Sequence, residues 1–598
     1  MADVRVLRVV AGIVSAGLAL GVAELLAAFM GPERAPLAAL GNTVVDHTPD
    51  GLREWVISTF GTNDKAVLYI CMAVVAIIVA GLSGAIERTT RAAGSTLLAL
   101  FGVIAAVIAA NRTGLSGALP TVIGVTAGIY ALRALTRRID EAAESAASGT
   151  SAVSGTSADN PTNSPSDVSA EDNARAATQS TAASAIRPPD TDTSTSHPEA
   201  IDRSAARSRN ASATPGEERA EVSPSVGEST DATRQAANPT TAAPERRQVL
   251  RGLAITGGLA VLAGVGGRLL GAQRHDVSGE RAAVQLPEPI EPETPLAPGV
   301  DLRLPGLTPY LTSNADFYRI DTALIVPQVS IDDWSLRIHG MVDREVRISW
   351  ADLANRTAVE SLVTLACVSN PVGGDLIGNA RWRGYRLDAL LAEAGPHPDA
   401  DMVLSHSIDG FTAGSPLAVL TDGRDALLAV GMNGEPLPVT HGYPARLVVP
   451  GLYGYVSATK WVTELEVTRF DRATAYWTRR GWSAKGPIKT ASRIDTPRSR
   501  ARIKAGAIPI AGVAWAQHRG ITAVEVQIDD GDWQPTRLST EQSIDTWRQW
   551  VYDWNATPGT HTIRARATDG TGETQTSERR DVVPDGATGY PTVTVQVS

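Results

Sequence analysis

Two cysteines, Cys71 and Cys367, are the only thiols of a 598-residue chain. A thiolate is soft, anionic and strongly donating, so each could serve as nucleophile, disulfide partner or metal ligand. Cys71 sits in an apolar run and Cys367 in the middle of a mixed-polarity half, which makes a disulfide framework unexpected. Cys71 reads as a small buried apolar side chain. Cys367 alone would also be core filler by default, so any chemistry for it must be argued from its neighbours. Other chemistries are set aside by what is missing. There is no Gly-rich phosphate loop of Rossmann or Walker spacing, no HExxH and no CxxCH, which argues against nicotinamide binding, zinc peptidase chemistry and c-type haem. None of the nine histidines falls in an apolar run, so a bis-histidine haem between helices is excluded. The net charge of −10 comes with no basic stripe, and nucleic acid is not an expected partner.

The elements that must hold these residues divide the chain sharply. Apolar runs at Val6–Phe29, Ala66–Ile86, Thr96–Ala110, Thr121–Leu135 and Val249–Leu270 approach the ~20 residues needed to span a bilayer. Arg5 and Arg8, Arg88 and Arg91, Arg133, Arg137 and Arg138, and Arg246, Arg247 and Arg251 flank them with a consistent bias. The positive-inside rule then places the N-terminus in the cytoplasm, and five crossings carry the C-terminal half outside a cell membrane. Glu24 is the one clear acid within a run; near its outer end, it is expected to snorkel to the interface. From Asp140 to about Pro244 the chain is Ser/Thr/Ala/Pro-rich, with too little apolar surface to offset its ordering entropy, and reads as a disordered cytoplasmic tether. Arg246 and Arg247 before a Gly/Ala/Leu span resemble a twin-arginine export signal, the route that moves proteins already folded.

Beyond the spans, Leu286–Pro305 is a Pro-rich extended spacer. The following segment mixes short strands (Ser335–Ile338, Ala445–Val449) with short helices (Leu387–Glu393), an α+β pattern. The last hundred or so residues alternate as strands (Ala523–Ile528, Thr562–Ala567) between Asp/Gly and Pro/Gly turns. With Trp515, Trp533, Trp547, Trp550 and Trp554 to fill an interior, they predict an immunoglobulin-like β-sandwich without the bridging disulfide. The expected units are a four-helix transmembrane anchor (1–138), a linker (139–245), a fifth span with its signal (246–271), a connector (272–307), a catalytic domain (308–495) and the sandwich (496–598).

The run Leu365-Ala366-Cys367-Val368-Ser369-Asn370, followed by Ile377 to Gly384, resembles the molybdenum–cysteine segment of the sulfite oxidase family. Asn314-Ala315-Asp316-Phe317-Tyr318-Arg319 is similar to the family's early pterin-contacting segment. Met432–Pro438, then His441–Gly451, and on through Tyr453-Gly454 to Ser457, Thr459, Lys460 and Trp461, resembles its most diagnostic block. The likeness covers roughly Thr308 to the C-terminus and points to a membrane-anchored bacterial type. It implies a molybdenum–molybdopterin cofactor with Cys367 as metal ligand and catalytic residue. It further implies cofactor contacts from Asn314, Phe317, Tyr318, Arg319, Ser369, His441, Arg446, Ser457, Thr459 and Lys460. Arg446 and Lys460 would give charge-assisted hydrogen bonds to the pterin phosphate, and the intervening glycines would let backbone N–H groups approach it. The sandwich resembles the family's dimerisation domain, which implies a homodimer through it.

Two departures bear on substrate. Pro371-Val372-Gly373-Gly374 stands where sulfite oxidases proper carry arginines, and Phe411 stands where they hold an active-site tyrosine. A sulfite dianion needs cationic and hydroxyl partners, so a neutral sulfoxide, N-oxide or similar acceptor of small size is the better expectation. Arg319, Arg381 or Arg383 could compensate if they point inward. No haem domain is fused, so electrons must pass to a separate cytochrome or quinone-linked partner. Sulfite oxidase proper, and a metal-free membrane-tethered adhesion module, stay open as alternatives.

Overall fold

The computed structural model describes residues 2–31, 34–60, 64–153 and 242–598. Its helical part is built from α1 (Ala2–Met30), α2 (Pro36–His47), α3 (Asp50–Phe60), α4 (Asp64–Ile86), α5 (Ala93–Thr113), α6 (Leu119–Val153) and α7 (Ala242–Arg274). Five of these, α1, α4, α5, α6 and α7, are long and apolar enough to cross a membrane. Small residues let them touch backbone to backbone: a Cβ on Gly12 of α1 would collide with the Ala80 carbonyl of α4. Outward faces stay apolar, with Ile70, Val74, Ile77 and Ile78 of α4 all exposed. Cys71 is exposed on that same helix, so it is not the buried filler expected of it.

The stretch between the first two spans holds α2 and α3. Two expectations for this part change. Glu24 does not snorkel; it is 9% exposed and lies 3.9 Å from Arg268 of α7, because the packed helix offers it a cation. The linker does not begin at 139, since α6 continues to Val153. Ile139 is buried with Ala11, Leu135, Val249 and Leu253, and Asp140 pairs with Arg8 and accepts from the Thr89 N–H and hydroxyl. Most of the expected disordered tether, 154–241, lies outside the described residues.

After α8 (Ser278–Ala283) the connector is extended but not free. Its strand β1 (Pro289–Glu291) adds parallel to β4 (Ala358–Ala366). Two mixed sheets then form the catalytic half. One runs β1-β4-β5-β8-β10, with β5 (Ile377–Arg386), β8 (Leu427–Met432) and β10 (Arg446–Val448), and β9 (Glu435–Pro436) paired to β8. The other runs β3-β2-β11-β6-β7, from β2 (Ser335–Gly340), β3 (Val346–Ser349), β6 (Met402–Ser407), β7 (Thr412–Pro416) and β11 (Val462–Thr468). All nine residues of β4 are buried, the pattern of a strand covered on both faces. Short helices punctuate the sheets, among them 387–394, close to the helix read from sequence.

The C-terminal region is a two-sheet sandwich. The strands β12 (Ala491–Thr496), β14 (Gly506–Trp515), β18 (Arg548–Ala556) and β17 (Arg537–Leu538) form one sheet. The other contains β13 (Arg502–Ile503), β20 (Thr592–Val597), β19 (Gly559–Asp569), β15 (Ile521–Ile528) and β16 (Gln534–Pro535). Ile563, Ala565 and Ala567 alternate inward along β19 against Ile510, Trp550 and Trp554 of the facing sheet. The five tryptophans do not share this interior. Trp515 and Trp547 belong to the core of the catalytic half, sealing the seam. Trp533 lies outside, beneath the Arg566 guanidinium and against the Tyr590 ring, since it stands just before the two-residue edge strand β16.

Candidate active site

Cys367 stands at the end of β4, where the buried strand gives way to a tight loop. Its N–H donates to the Leu376 carbonyl at 2.9 Å, and its own carbonyl accepts from the Asn370 N–H at 3.1 Å. The Asn370 carboxamide oxygen accepts from the Leu376 N–H at 3.0 Å, so the Cys-x-x-Asn spacing closes the loop that presents the thiol. Arg493, on β12 of the sandwich, donates to the Gly374 carbonyl at 3.2 Å and braces the same loop from outside. The sulfur lies 2.9 Å from the Ser369 hydroxyl. Burial pushes the thiol pKa up, against the opposing pull of the Ser369 hydroxyl and the Ser369 and Val368 N–H groups.

Tyr318 lies between Cys367 and Arg446 electrostatically, feeling both charges. The Tyr318 phenol is raised first by burial and then by the Cys367 charge, with Arg446 acting the other way. Phe317 stacks on Tyr318 (centroids 5.3 Å apart) and meets Trp382 and His441 edge-on, each at 5.7 Å. Arg446 lies over the Trp382 ring at 5.1 Å. It donates to the carbonyls of Leu447, His441 and Ala458. Among the described residues no carboxylate pairs with it, although it is 5% exposed. Burial lowers its pKa to about 10. An unneutralised buried guanidinium is costly and calls for an anion.

His441 is also buried, and desolvation, then Arg446 and Lys460, lower its pKa to about 4. The neutral ring places Nε2 at 3.2 Å from the Asn314 carbonyl, which can only accept, so Nε2 carries the proton. Between His441 and Arg446, Gly442 adopts φ +111°, and a Cβ there would press both the Arg446 and Lys460 Cβ atoms at 3.1 Å. Lys460 donates to the Asp321 carboxylate at 2.8 Å and to the Thr440 carbonyl at 3.2 Å. Its pKa is lowered to about 8 by burial, against the pull of Asp321.

The expected residues are not all alike. Cys367, Ser369, Phe317, Tyr318, His441 and Arg446 come together, and Lys460 adjoins them across Gly442. Ser457 and Thr459 are fully buried, with hydroxyls spent on the Tyr453 carbonyl (2.9 Å) and on the Ser405 hydroxyl (2.7 Å). The Asn314 carboxamide donates to the Met432 carbonyl and accepts from Asn433. Arg319 is exposed and closes on Asp321 at 2.7 Å. Arg381 and Arg383 both close on Glu360, at 3.0 and 2.8 Å, and so do not supply the missing arginines. Phe411 packs its ring against Tyr476 at 5.7 Å. Sequence reasoning missed Asp321, 3% exposed and gathering Arg319, Lys460 and Lys65. The spacing of Arg319 to Asp321 was the one local hint.

These residues fit a molybdenum–molybdopterin group: a buried thiol for the metal, and a buried cation without a carboxylate for an anionic end. The description "oxidoreductase molybdopterin binding domain" matches residues 323–477. The chain is 30% identical over 289 residues to the mitochondrial sulfite oxidase of Homo sapiens, covering 40% of this chain and 52% of that protein. It thus spans about half the length of that relative. It is 33% identical over 153 residues to YuiH, an uncharacterised oxidoreductase of Bacillus subtilis (strain 168), covering 26% of this chain and 74% of that protein. Among solved structures, the sulfane dehydrogenase SoxCD of Paracoccus pantotrophus aligns with a TM-score of 0.44 and 23% identity, over 54% of this chain and 92% of that one. The matching domain and the sulfite oxidase and YuiH sequences agree: the chain belongs to the sulfite oxidase family of molybdopterin-dependent oxidoreductases.

Proposed function

We propose that the soluble half catalyses two-electron oxygen-atom transfer on a small extracytoplasmic substrate other than sulfite, exchanging electrons with a separate cytochrome or quinone-linked partner. The observation that carries this is the pairing of charges around Cys367. Arg319 is held by Asp321, and Arg381 and Arg383 are both held by Glu360. Arg446 is buried with no carboxylate partner among the described residues, and a pterin phosphate would pair with it. The arginines that could have met a dianionic substrate are turned onto carboxylates instead, and Phe411 offers no hydroxyl.

When bound, the molybdenum–molybdopterin group supplies the oxygen-atom transfer chemistry. The chain's own residues hold and tune. Cys367 would give the thiolate to the metal, with the Ser369 hydroxyl beside it favouring the ionised sulfur. Arg446 and Lys460 would hold the phosphate. His441, neutral with its proton on Nε2, keeps positive charge from accumulating further between those two cations. Tyr318 stays a neutral phenol. Ser457, Thr459 and Asn314 shape the walls through the protein bonds they already make.

Topology follows the arginine bias: N-terminus cytoplasmic, catalytic half outside, and folded export directed by Arg246 and Arg247. The sandwich, in the immunoglobulin-like reading, serves a homodimer.

The test is molybdenum analysis of the purified full chain, followed by a screen with reduced viologen against sulfoxides and N-oxides, and with sulfite plus an artificial electron acceptor. Stoichiometric molybdenum with turnover of a neutral acceptor supports the reading. Sulfite turnover above all others would replace it with a sulfite oxidase proper, and metal-free protein from a cofactor-competent host would remove the enzyme.

A further inference from the structure

The loop between the first two spans meets the catalytic half at charged contacts. Asp46 of α2 accepts from Arg480 at 3.2 Å and pairs with Arg112 at the end of α5. Gly41 of α2 lies against Leu324, where a Cβ would come within 2.7 Å of the leucine Cδ1. Lys65, the second residue of α4, donates to Asp321 Oδ1 at 3.1 Å and to the Ala323 carbonyl at 2.6 Å. The other carboxylate oxygen, Oδ2, accepts from Arg319 at 2.7 Å and from Lys460 at 2.8 Å. One buried carboxylate thus divides three cations between its two oxygens.

A buried carboxylate draws in whatever cations can reach it. With Lys65 on Oδ1, this cluster carries a surplus of two positive charges beside the Gly442 turn that holds Arg446. Without Lys65 the surplus falls to one, and both oxygens are left to Arg319 and Lys460. The Lys460 ammonium would then be held harder against Asp321 and offered less to an outside anion. We propose that Lys65, a residue of the membrane anchor, is a positioning residue of the cofactor site: by occupying Asp321 Oδ1 it keeps Lys460 available to an anionic phosphate. This rests on the reading of Lys460 as a cofactor contact. The anchor is then part of the site's construction as well as its tether.

The test uses the cofactor-loaded full chain in detergent, with molybdenum and pterin retained by the protein followed over time during dialysis. Lys65→Met should lose cofactor about tenfold faster, the scale of an outer-shell change at a metal site, while Lys65→Arg holds it at the parent rate. Lys460→Met should also lose it faster, and Lys65→Met should add nothing in that background, which a merely structural lysine would not obey. Asp46→Asn, which breaks the neighbouring docking pair without touching Asp321, should retain cofactor normally. The proposal is overturned if Lys65→Met retains cofactor while Lys460→Met loses it, or if Asp46→Asn costs as much as Lys65→Met. Normal retention by Lys460→Met would instead remove the cofactor contact itself, and the role of Lys65 with it.

Discussion

A buried thiol has no reason of its own to ionise, and burial moves Cys367 away from the thiolate. A metal cation reverses that balance by displacing the proton. Cys367→Ser should therefore abolish molybdenum binding and turnover while near-ultraviolet circular dichroism and Tm stay close to the parent; bound metal and activity in the serine variant would remove the ligand assignment. His441 makes a second residue-scale prediction. Its folded pKa, about 4, lies below the ordinary 6.5, so between those values the unfolded chain binds a proton that the native state refuses. Cofactor-free protein should lose stability as pH falls from about 6.5 to about 4, by up to ~1.4 kcal/mol per pH unit. Above that window the group contributes no slope. His441→Gln should flatten the window in a pH series of denaturant melts, and an unchanged slope would place the titration elsewhere.

Elements decide which of these side chains can act together. The Cys-x-x-Asn spacing was legible because both ends lie in one short loop, and Asn370 closes it within six residues. Gly442 does comparable work between His441 and Arg446, at a φ that an L side chain rarely adopts. Gly442→Ala should cost ~1–3 kcal/mol, and by pressing Arg446 and Lys460 apart it should lower cofactor content as well. Gly423, at φ +89° with nothing within 4 Å of a Cβ, is the control. Ala there should lower Tm by its backbone strain alone and leave cofactor content unchanged; equal cofactor loss in both variants would remove the special role of the Gly442 turn. Helices α2 and α3 were not legible, because at 12 and 11 residues they fall short of a span and interrupt their apolar positions with polar ones.

At the scale of the whole molecule, the proposed topology would require a cofactor enclosed by folded protein to be inserted before the domain crosses a membrane, and this would give Arg246 and Arg247 an export role. Replacing both with lysine should strand the catalytic half in the cytoplasm, seen as loss of protease access in spheroplasts; unchanged access would leave only charge bias to explain the pair. The family, the five long apolar helices and the short loop that carries Cys367 were all legible in the sequence alone, because each depends on local composition, run length or short spacing. Tertiary structure alone decided where the charges go. Arg381 and Arg383 are as basic on paper as Arg446, yet two close on Glu360 and one is left unpaired in the interior. Glu24 finds Arg268 on another helix, Trp547 enters the catalytic core while Trp533 stays outside, and Lys65 reaches Asp321 across 256 positions. A charge or an aromatic ring takes its function from what lies within a few ångströms, and chain folding, which brings distant residues together, sets those neighbours.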